Sequence, residues 1–421
     1  MLVRIESTAR SLCFVLSLPG CVAVADLGAP RQLESVDGGV GDAAEQPHAI
    51  ALGVGPDQSC AVIEVSPSNP ENRSVRCWGS NAQGQLGADP ASTALSFTPL
   101  PVAARPSTAQ SDFVALALGQ GYSCAITADG YLLCWGLVPS GLGVQREQDT
   151  PVYEPSTMDL YSSSSPLTQV TSASVDADGG CCTSNQSLVC WGDVKSAADH
   201  VIDASVAVAE SFDQVAIGRA HACGIGTRDG VTDVFCWGAD ERGQAGQPFT
   251  SVISVPAATG LAARAAAVQI AAGGDESCAL LADGSVYCWG ANDSGQLGSA
   301  GPDSSAPVRV VFPTGEAPSE IAVGDAHACA LITPNVWCWG DNSASQLGGG
   351  PGGPSFVSSP AKVLRASSEL MTVQDLAAGG RTTCATLFTD PRVHCWGANE
   401  SGQAGQDPSM ATVPWATPVA W

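Results

Sequence analysis

Closely spaced pairs of cysteines recur along the chain and are the residues best suited to covalent chemistry. In residues 278–298, CALLADGSVYCWGANDSGQLG, Cys278 and Cys288 flank an Asp-Gly turn. Two thiols can form a disulfide, ligate zinc, or stay reduced as small core residues. If Ala282-Asp283-Gly284 is a three-residue hairpin loop, Cys278 lies directly opposite Cys288, at a distance that a disulfide spans. The spacing therefore predicts a disulfide.

The same hairpin register places Cys124 opposite Cys134, and the remaining cysteines form similar pairs. The predicted pairs are Cys60–Cys77, Cys124–Cys134, Cys223–Cys236, Cys278–Cys288, Cys329–Cys338, Cys384–Cys395, and either Cys181 or Cys182 with Cys190. Reduced cysteines are the first alternative, but a cytosolic protein seldom carries so many. Zinc is the second alternative, but each repeat offers two thiols where a structural zinc takes four ligands. We expect disulfides and no metal.

The elements that position these cysteines form an internal repeat. Cys-Trp-Gly begins at residues 77, 134, 190, 236, 288, 338 and 395. A period of about 50 residues is typical of propellers and solenoids. Short apolar runs bounded by Gly, Pro, Asn and Asp indicate strands and an all-β chain. The tryptophan after each second cysteine faces away from it along the strand, so we expect a core tryptophan in each repeat rather than a sugar-stacking platform.

The tail of each repeat carries a family resemblance. WGANDSGQLG, WGSNAQGQLG, WGADERGQAG, WGDNSASQLG and WGANESGQAG resemble the repeat of the regulator of chromosome condensation family, whose members form seven-bladed β-propellers. The resemblance spans residues 48–421 and implies seven blades. The second and third repeats depart from it, with WGLVPSGLG and WGDVKSAADH. We further expect Pro418–Trp421 to close the ring by pairing with the first blade, built from about residues 49–87, because this would remove free sheet edges.

The first residues predict export. Residues 1–20 combine two arginines with a short apolar run, as in a secretory signal. LPGC at 18–21 resembles a lipobox, which would make Cys21 the lipid-modified first residue, whereas AVA at 23–25 suits an ordinary cut before Asp26. We expect a bacterial outer-membrane or cell-surface lipoprotein, with a secreted or periplasmic protein as the alternative. Residues 21–47 are predicted to be a flexible acidic tether.

Composition and charge restrict the partners. The formal net charge of −24 disfavours nucleic acid and anionic lipid surfaces, so membrane contact is expected only through the lipid anchor. No nucleophile, metal or dinucleotide motif surrounds the histidines, and no glycine-rich stretch has phosphate-loop spacing. We therefore expect no catalysis and no cofactor, and a monomer.

A long excursion, VQREQDTPVYEPSTMDLYSSSSPLTQV at 144–170, is the candidate contact loop, with Tyr153, Met158 and Tyr161 among polar residues. A loosely packed surface loop is the structural alternative. The predicted function is an exported binding or scaffold propeller that recognises an extracellular or periplasmic partner. The family resemblance adds two alternatives, a regulator of the guanine-nucleotide-exchange type and an inhibitor of a secreted enzyme.

Overall fold

The computed structural model describes residues 47–64, 73–102, 112–139, 152–160, 165–177, 179–192, 211–313, 315–366, 368–370 and 372–420. Strands dominate this part of the chain, and its helical segment is the 3-10 turn Leu261–Ala263. None of the helices in these ranges is long and apolar enough to cross a membrane. The predicted signal segment, Cys21 and nearly all of the predicted tether lie outside the described residues.

Seven sheets follow one another along the chain as blades 1–7. Blade 1 contains β1 (His48–Val54), β2 (Gln58–Glu64), β3 (Arg73–Ser80) and β4 (Leu95–Pro101). Blade 2 contains β5 (Phe113–Leu118), β6 (Tyr122–Thr127), β7 (Leu132–Gly136) and β8 (Val152–Thr157). A small hairpin, β9 (Asp159–Leu160) and β10 (Ser165–Pro166), follows it. Blade 3 contains β11 (Val170–Asp176), β12 (Gly179–Ser184) and β13 (Ser187–Gly192).

The other four blades have four strands each. Blade 4 contains β14 (Ser211–Ile217), β15 (His221–Arg228), β16 (Val231–Ala239) and β17 (Val252–Ala258). Blade 5 contains β18 (Ala267–Gly273), β19 (Glu276–Leu281), β20 (Val286–Gly290) and β21 (Ser304–Arg309). Blade 6 contains β22 (Glu320–Val323), β23 (His327–Ile332), β24 (Asn335–Asp341) and β25 (Phe356–Lys362), followed by the hairpin β26 (Leu364–Arg365) and β27 (Ser368–Glu369). Blade 7 contains β28 (Val373–Gly379), β29 (Thr382–Leu387), β30 (Asp390–Ala398) and β31 (Thr412–Pro418).

Every blade is an antiparallel meander in chain order, as in β1-β2-β3-β4, so the predicted all-β, seven-bladed propeller is confirmed. The first strand of each blade lines a central channel. The turns between first and second strands therefore lie at the same end of the ring as the connectors between third and fourth strands. We call this end the upper face. The turns between second and third strands and the links between blades lie at the lower face.

The disulfides join the second and third strands within each blade. Cys278 lies opposite Cys288 in the strand register, and the same holds for the other pairs. The Cα atoms of the seven pairs are 4.0–4.1 Å apart. In blade 3 the bond joins Cys181 to Cys190, and Cys182 is a buried free thiol. Cys182 faces Val189 in the register and therefore points to the other side of the sheet.

The core lies between blades rather than inside one. One apolar cluster combines Cys278 and Leu280 of blade 5 with Ile321 and Trp339 of blade 6. The tryptophans of the Cys-Trp-Gly segments are at most 1% exposed in all seven blades. Both faces of each sheet are thus covered by neighbouring blades, which explains the nearly continuous burial of β2, β6, β19 and β23.

The expectation that Pro418–Trp421 pairs with the first blade is wrong. Strand β31 pairs with β30, with Pro418 opposite His394 and Thr417 opposite Cys395, so it is the outer strand of blade 7. The reason is that each blade begins at its inner strand and ends at its outer strand. Blade 1 consequently already has its own outer strand, β4, when the chain reaches its C-terminal segment. Side-chain contacts between blades close the ring instead.

Candidate functional site: the upper face and the channel

Each repeat tail connects its own blade to the next one. The indole Nε1–H of Trp135 in blade 2 donates to the Gln85 carbonyl in the tail of blade 1, at 2.9 Å. We call this bond an interblade clasp. Equivalent clasps of 2.8–3.0 Å join Trp289 to Gln244, Trp339 to Gln296, Trp396 to Gln346 and Trp78 to Gln403. The last of these joins blade 1 to blade 7 and closes the ring.

Polar side chains within the tail hold the glutamine carbonyl in place. In blade 1 the Leu86 N–H donates to Asn81 Oδ1 at 2.9 Å, and the Gln83 N–H donates to Gln85 Oε1 at 2.8 Å. The tails of blades 5, 6 and 7 repeat both bonds, with Asn292, Asn342 and Asn399 as the asparagines. The glycine of Cys-Trp-Gly is required because Gly79 has φ of 114° and a Cβ there would lie 2.5 Å from the Asp57 carbonyl oxygen.

Two clasps are missing where the sequence departs from the repeat. Among the described residues, Trp191 Nε1 and Trp237 Nε1 are buried without a hydrogen-bond partner. The preceding tails are WGLVPSGLG, which has no glutamine, and WGDVKSAADH, which has lost the pattern altogether. Blade 3 thus meets both of its neighbours without this bond, among the residues that the structure describes.

The inner strands carry small residues where they line the channel, which allows the strands of neighbouring blades to lie close together. Gly53, Ala117, Ser174, Ala216, Ala271, Ala322 and Ala377 occupy the same position in the seven blades, and all line the channel. A Cβ on Gly53 would approach Leu116 Cβ of the next blade to 2.9 Å. The channel has a volume of about 600 Å³ and is open to solvent. Asp176, Arg219 and Asp325 stand at its upper mouth.

Side chains also bridge the inner strands of neighbouring blades. The Ile270 N–H donates to Gln214 Oε1 at 2.9 Å, and the Ile321 N–H donates to Gln269 Oε1 at 2.8 Å. In blades 6 and 7 the equivalent positions are acids, Glu320 and Asp375, which hydrogen-bond to each other. Burial, followed by the nearby Asp375 charge, raises the pKa of Glu320 to about 9. This pair therefore holds a proton at neutral pH.

The buried histidines are structural. His221 Nε2 lies 2.7 Å from Ser277 Oγ, and that hydroxyl donates its hydrogen to the Gln244 carbonyl. The hydroxyl must therefore accept from the histidine, so Nε2 carries the proton. His327 and Thr383 repeat the arrangement at 2.9 Å. Burial lowers the pKa of each histidine to about 4, and both rings stay neutral at pH 7.

Among the described residues, the charges of the upper face are predominantly negative. The described cations of this face are each paired with an acid: Arg219 with Asp275 at 3.4 Å, Arg242 with Asp293 at 2.5 Å and with Asp303, and Arg381 with Glu400 at 3.1 Å. Exposed acids that form no salt bridge with a described cation remain at this face: Asp89, Glu241, Asp325 and Asp407. Other cations, including Arg228, Lys362 and Arg392, lie at strand ends on the lower face.

The predicted contact loop is only partly described. Tyr153 lies on β8 and is 36% exposed, whereas Tyr161 is outside the described residues. Met158 is fully buried, its N–H donates to the Leu132 carbonyl, and it packs with Tyr122 and Leu167 in the core between blades 2 and 3. Placing Met158 in a binding loop is therefore wrong, because polar neighbours in the sequence conceal a core residue. Nothing in the sequence pattern indicated the acidic upper face, since its acids come from separate repeats.

The geometry defines a seven-bladed, disulfide-bonded β-propeller whose repeat tails fasten each blade to the next. Two family models described as the regulator of chromosome condensation (RCC1) repeat match this chain, one at residues 283–331 and the other at 267–296 and 373–403. The matched residues thus carry RCC1-type repeats, and they lie in a seven-bladed β-propeller.

Known relatives cover different shares of the chain. The ultraviolet-B receptor UVR8 of Arabidopsis thaliana is 25% identical over 283 residues, which are 63% of this chain and 60% of UVR8. The E3 ubiquitin-protein ligase HERC2 of Homo sapiens is 27% identical over 356 residues, which are 79% of this chain and 7% of HERC2. The chain thus spans less than two thirds of the length of either relative.

Solved structures share the fold. Human WBSCR16 superimposes with a TM-score of 0.67 at 20% identity, covering 82% of this chain and 94% of that one. Prp20p from Saccharomyces cerevisiae superimposes with a TM-score of 0.66 at 19% identity, covering 89% of this chain and 87% of that one.

Proposed function

We propose that this protein is an exported, lipid-anchored binding propeller whose upper face recognises a basic segment of a protein partner outside the cytoplasm. Cys21 would carry the lipid, and residues 21–47 would hold the propeller away from the membrane. The ring would act as a rigid scaffold without chemistry of its own.

The uneven distribution of charge between the two faces carries this proposal. The upper-face arginines are neutralised by Asp275, Asp293, Asp303 and Glu400, while exposed acids beside them form no salt bridge with a described cation. Complementary charge favours encounter with a partner rich in lysine and arginine and disfavours acidic competitors. The interblade clasps fix the same tails that carry Asp89 and Glu241, so the acidic surface is preorganised.

Two further observations support export and protein binding. Seven disulfides suit an oxidising compartment, in keeping with the signal-like first residues. Among proteins of the same fold, the Prp20p structure is described together with binding to Gsp1p and histones, and yeast RCC1 has a structure with Kap60 bound to it. Binding of proteins by a ring of this type is thus the function that we extend to this chain.

A charge-reversal comparison tests the partner class. Asp89→Lys with Glu241→Lys changes the upper face, and Asp213→Lys with Asp229→Lys makes the same change of net charge on exposed residues of the lower half. The probe is an immobilised lysine-rich peptide, with its glutamate counterpart as the negative control. We expect the upper-face variant to lose most binding, the lower-face variant to keep it, and the wild-type affinity to fall with added salt. Equal losses in both variants would refute recognition by the upper face.

The cellular location and the processing of the protein are tested by its intact mass. The mass is measured in each cell fraction of the native host, with and without reduction. A membrane-bound species that begins at lipid-modified Cys21 and contains seven disulfides is the expected result. A soluble species beginning at Asp26 would retain export but remove the anchor. A full-length reduced chain in the cytosol would overturn the proposal.

A further inference from the structure

One buried position at the upper end of the second strand carries a side chain that links several blades to the next. It lies two residues before the first disulfide cysteine and holds Gln58, Tyr122, His221, Glu276 and His327 in blades 1, 2, 4, 5 and 6. The Gln58 Nε2–H donates to the Gly119 carbonyl of blade 2 at 2.6 Å, and the Tyr122 hydroxyl donates to the Gly179 carbonyl of blade 3 at 2.6 Å. His221 and His327 donate through Nε2 to hydroxyls of the following blades. All four side chains act as hydrogen-bond donors across a blade junction.

Glu276 occupies this position in blade 5 and differs from the other four residues. It is fully buried, and neither carboxyl oxygen receives a hydrogen bond. An ionised carboxylate can only accept, so such an environment would leave a buried charge unsatisfied. A protonated carboxyl, in contrast, has an O–H to donate. No group of three or more histidine, cysteine or acidic residues in the described ranges could hold a metal ion there instead.

The turn that would accept this hydrogen bond is already formed in blade 6. In blade 2, the Gly119 N–H donates to the Tyr122 carbonyl, and both carbonyls of this turn accept from Gln58. In blade 6, the Gly324 N–H donates to the His327 carbonyl at 2.8 Å, so the same turn is present. Blade 5 approaches it closely, since a Cβ on Gly273 would lie 2.2 Å from the Gly324 carbonyl oxygen. Because this turn is equivalent to the one that accepts from Gln58, we expect its carbonyls to be the acceptors for Glu276.

We propose that Glu276 keeps its proton in the folded ring and donates it to the Gly324–His327 turn, so that the junction between blades 5 and 6 loosens when this proton is lost. The glutamate then replaces the glutamine of blade 1 atom for atom, but its bond depends on pH. Raising the pH would place a buried negative charge at the junction between blades 5 and 6, whereas Gln58 keeps its N–H donor at any pH.

The charged neighbours reinforce this behaviour. Burial, and then the charges of Asp325 in blade 6 and of Asp275 in its own turn, raise the pKa of Glu276 well above its usual value. Arg219 of blade 4 engages Asp275 at 3.4 Å and cannot pair with Glu276, to which the structure gives no salt bridge. His221 and His327 stay neutral at pH 7 because burial lowers the pKa of each ring. No described cation therefore compensates an ionised Glu276.

The sign of the pH effect follows from the raised pKa. The folded state holds the proton more tightly than the unfolded chain, so the stabilisation is complete below the ordinary glutamate pKa of about 4.5 and is lost as pH rises towards the raised value. In that window the folding equilibrium constant falls by up to about tenfold per pH unit, relative to a variant that lacks this carboxyl.

Glu276→Gln and the reciprocal Gln58→Glu test the proposal together. Denaturant unfolding of the oxidised protein is measured from about pH 5 to about pH 8. We expect Glu276→Gln to fold like the wild type at the acidic end and to become progressively more stable than it towards the alkaline end. Gln58→Glu should show the opposite trend and become progressively less stable than the wild type towards alkaline pH. Asp89→Asn, which neutralises an exposed acid of the upper face, is the control and should change stability by a constant amount.

A spectroscopic readout tests protonation without unfolding. The infrared difference spectrum between wild type and Glu276→Gln at neutral pH should contain the carbonyl band of a protonated carboxylic acid. If that band is absent, or if the stability difference between wild type and Glu276→Gln is constant across the pH range, the proposal is overturned. A Gln58→Glu variant with no pH-dependent loss would overturn it as well.

Discussion

Replacing the clasp tryptophan in two blades separates its hydrogen bond from its packing. Trp289 donates to the Gln244 carbonyl at 3.0 Å, whereas Trp237 is equally buried but has an Nε1 without a partner. Trp289→Phe and Trp237→Phe remove the same atoms from the same position of two blades. The packing loss is therefore matched, and the difference between the two variants reports the clasp.

The expected magnitude follows from the contacts. Removing the Trp289 N–H forfeits a hydrogen bond worth about 1 kcal/mol, and not much more, because the Gln244 carbonyl still accepts from Ser277. Removing the Trp237 N–H instead relieves the desolvation of an unpaired donor, a penalty of about 1–3 kcal/mol. Trp289→Phe should therefore cost at least about 1 kcal/mol more than Trp237→Phe.

Equilibrium guanidinium unfolding of the oxidised proteins measures this difference. The comparison is valid when the dependence of unfolding free energy on denaturant is unchanged between variants, so that the midpoints report stability. Equal losses in the two variants would mean that the bond contributes nothing to the ring. A larger loss of unfolding free energy in Trp237→Phe than in Trp289→Phe would contradict the prediction.

The remaining predictions concern the two corrected assignments. Removing residues 412–421 deletes β31, the partner of β30. We expect amide hydrogen exchange to accelerate most in β30. Accelerated exchange in β3 with β30 unchanged would instead indicate that the C-terminal strand pairs with the first blade. Met158→Ser should lower the unfolding free energy by about 2–5 kcal/mol because it empties a core site, while Tyr153→Ser should stay within about 0.5 kcal/mol, both measured by denaturant unfolding. If both substitutions had similarly small effects on the unfolding free energy, Met158 would be a surface residue after all.

Features that repeat locally were predictable from the sequence. The register of Cys278 and Cys288 depends only on the short turn between them, and the fate of each tryptophan depends on strand alternation. The period of the repeat then determined the number of blades. These inferences succeed because they involve neighbours in the chain, with no need to know how blades are arranged.

Features that depend on contacts between blades were not predictable. The repeat tail carried the family resemblance, but the sequence did not show that the carbonyl of its glutamine accepts from the tryptophan of the next blade, 50 positions away for Gln85 and Trp135. The position of the C-terminal strand was mispredicted because the sequence indicates a strand there without indicating whether a blade begins at its inner or at its outer strand. No sequence pattern singled out Glu276, and its burial beside blade 6 is what distinguishes it.

The pairing order of the disulfides has a consequence for how the chain matures. In six blades the first cysteine is bonded to the next cysteine of the chain, and none of the seven bonds, which span nine to seventeen residues, joins two blades. A chain that enters an oxidising compartment N-terminus first would present each pair before the next pair emerges, so oxidation in order of arrival yields the native bonds without reshuffling. Blade 3 is the exception, since Cys182 arrives between Cys181 and Cys190. Among the described cysteines, blade 3 is thus the one place where thiol-disulfide isomerisation would act, and its described residues form no clasp with either neighbour.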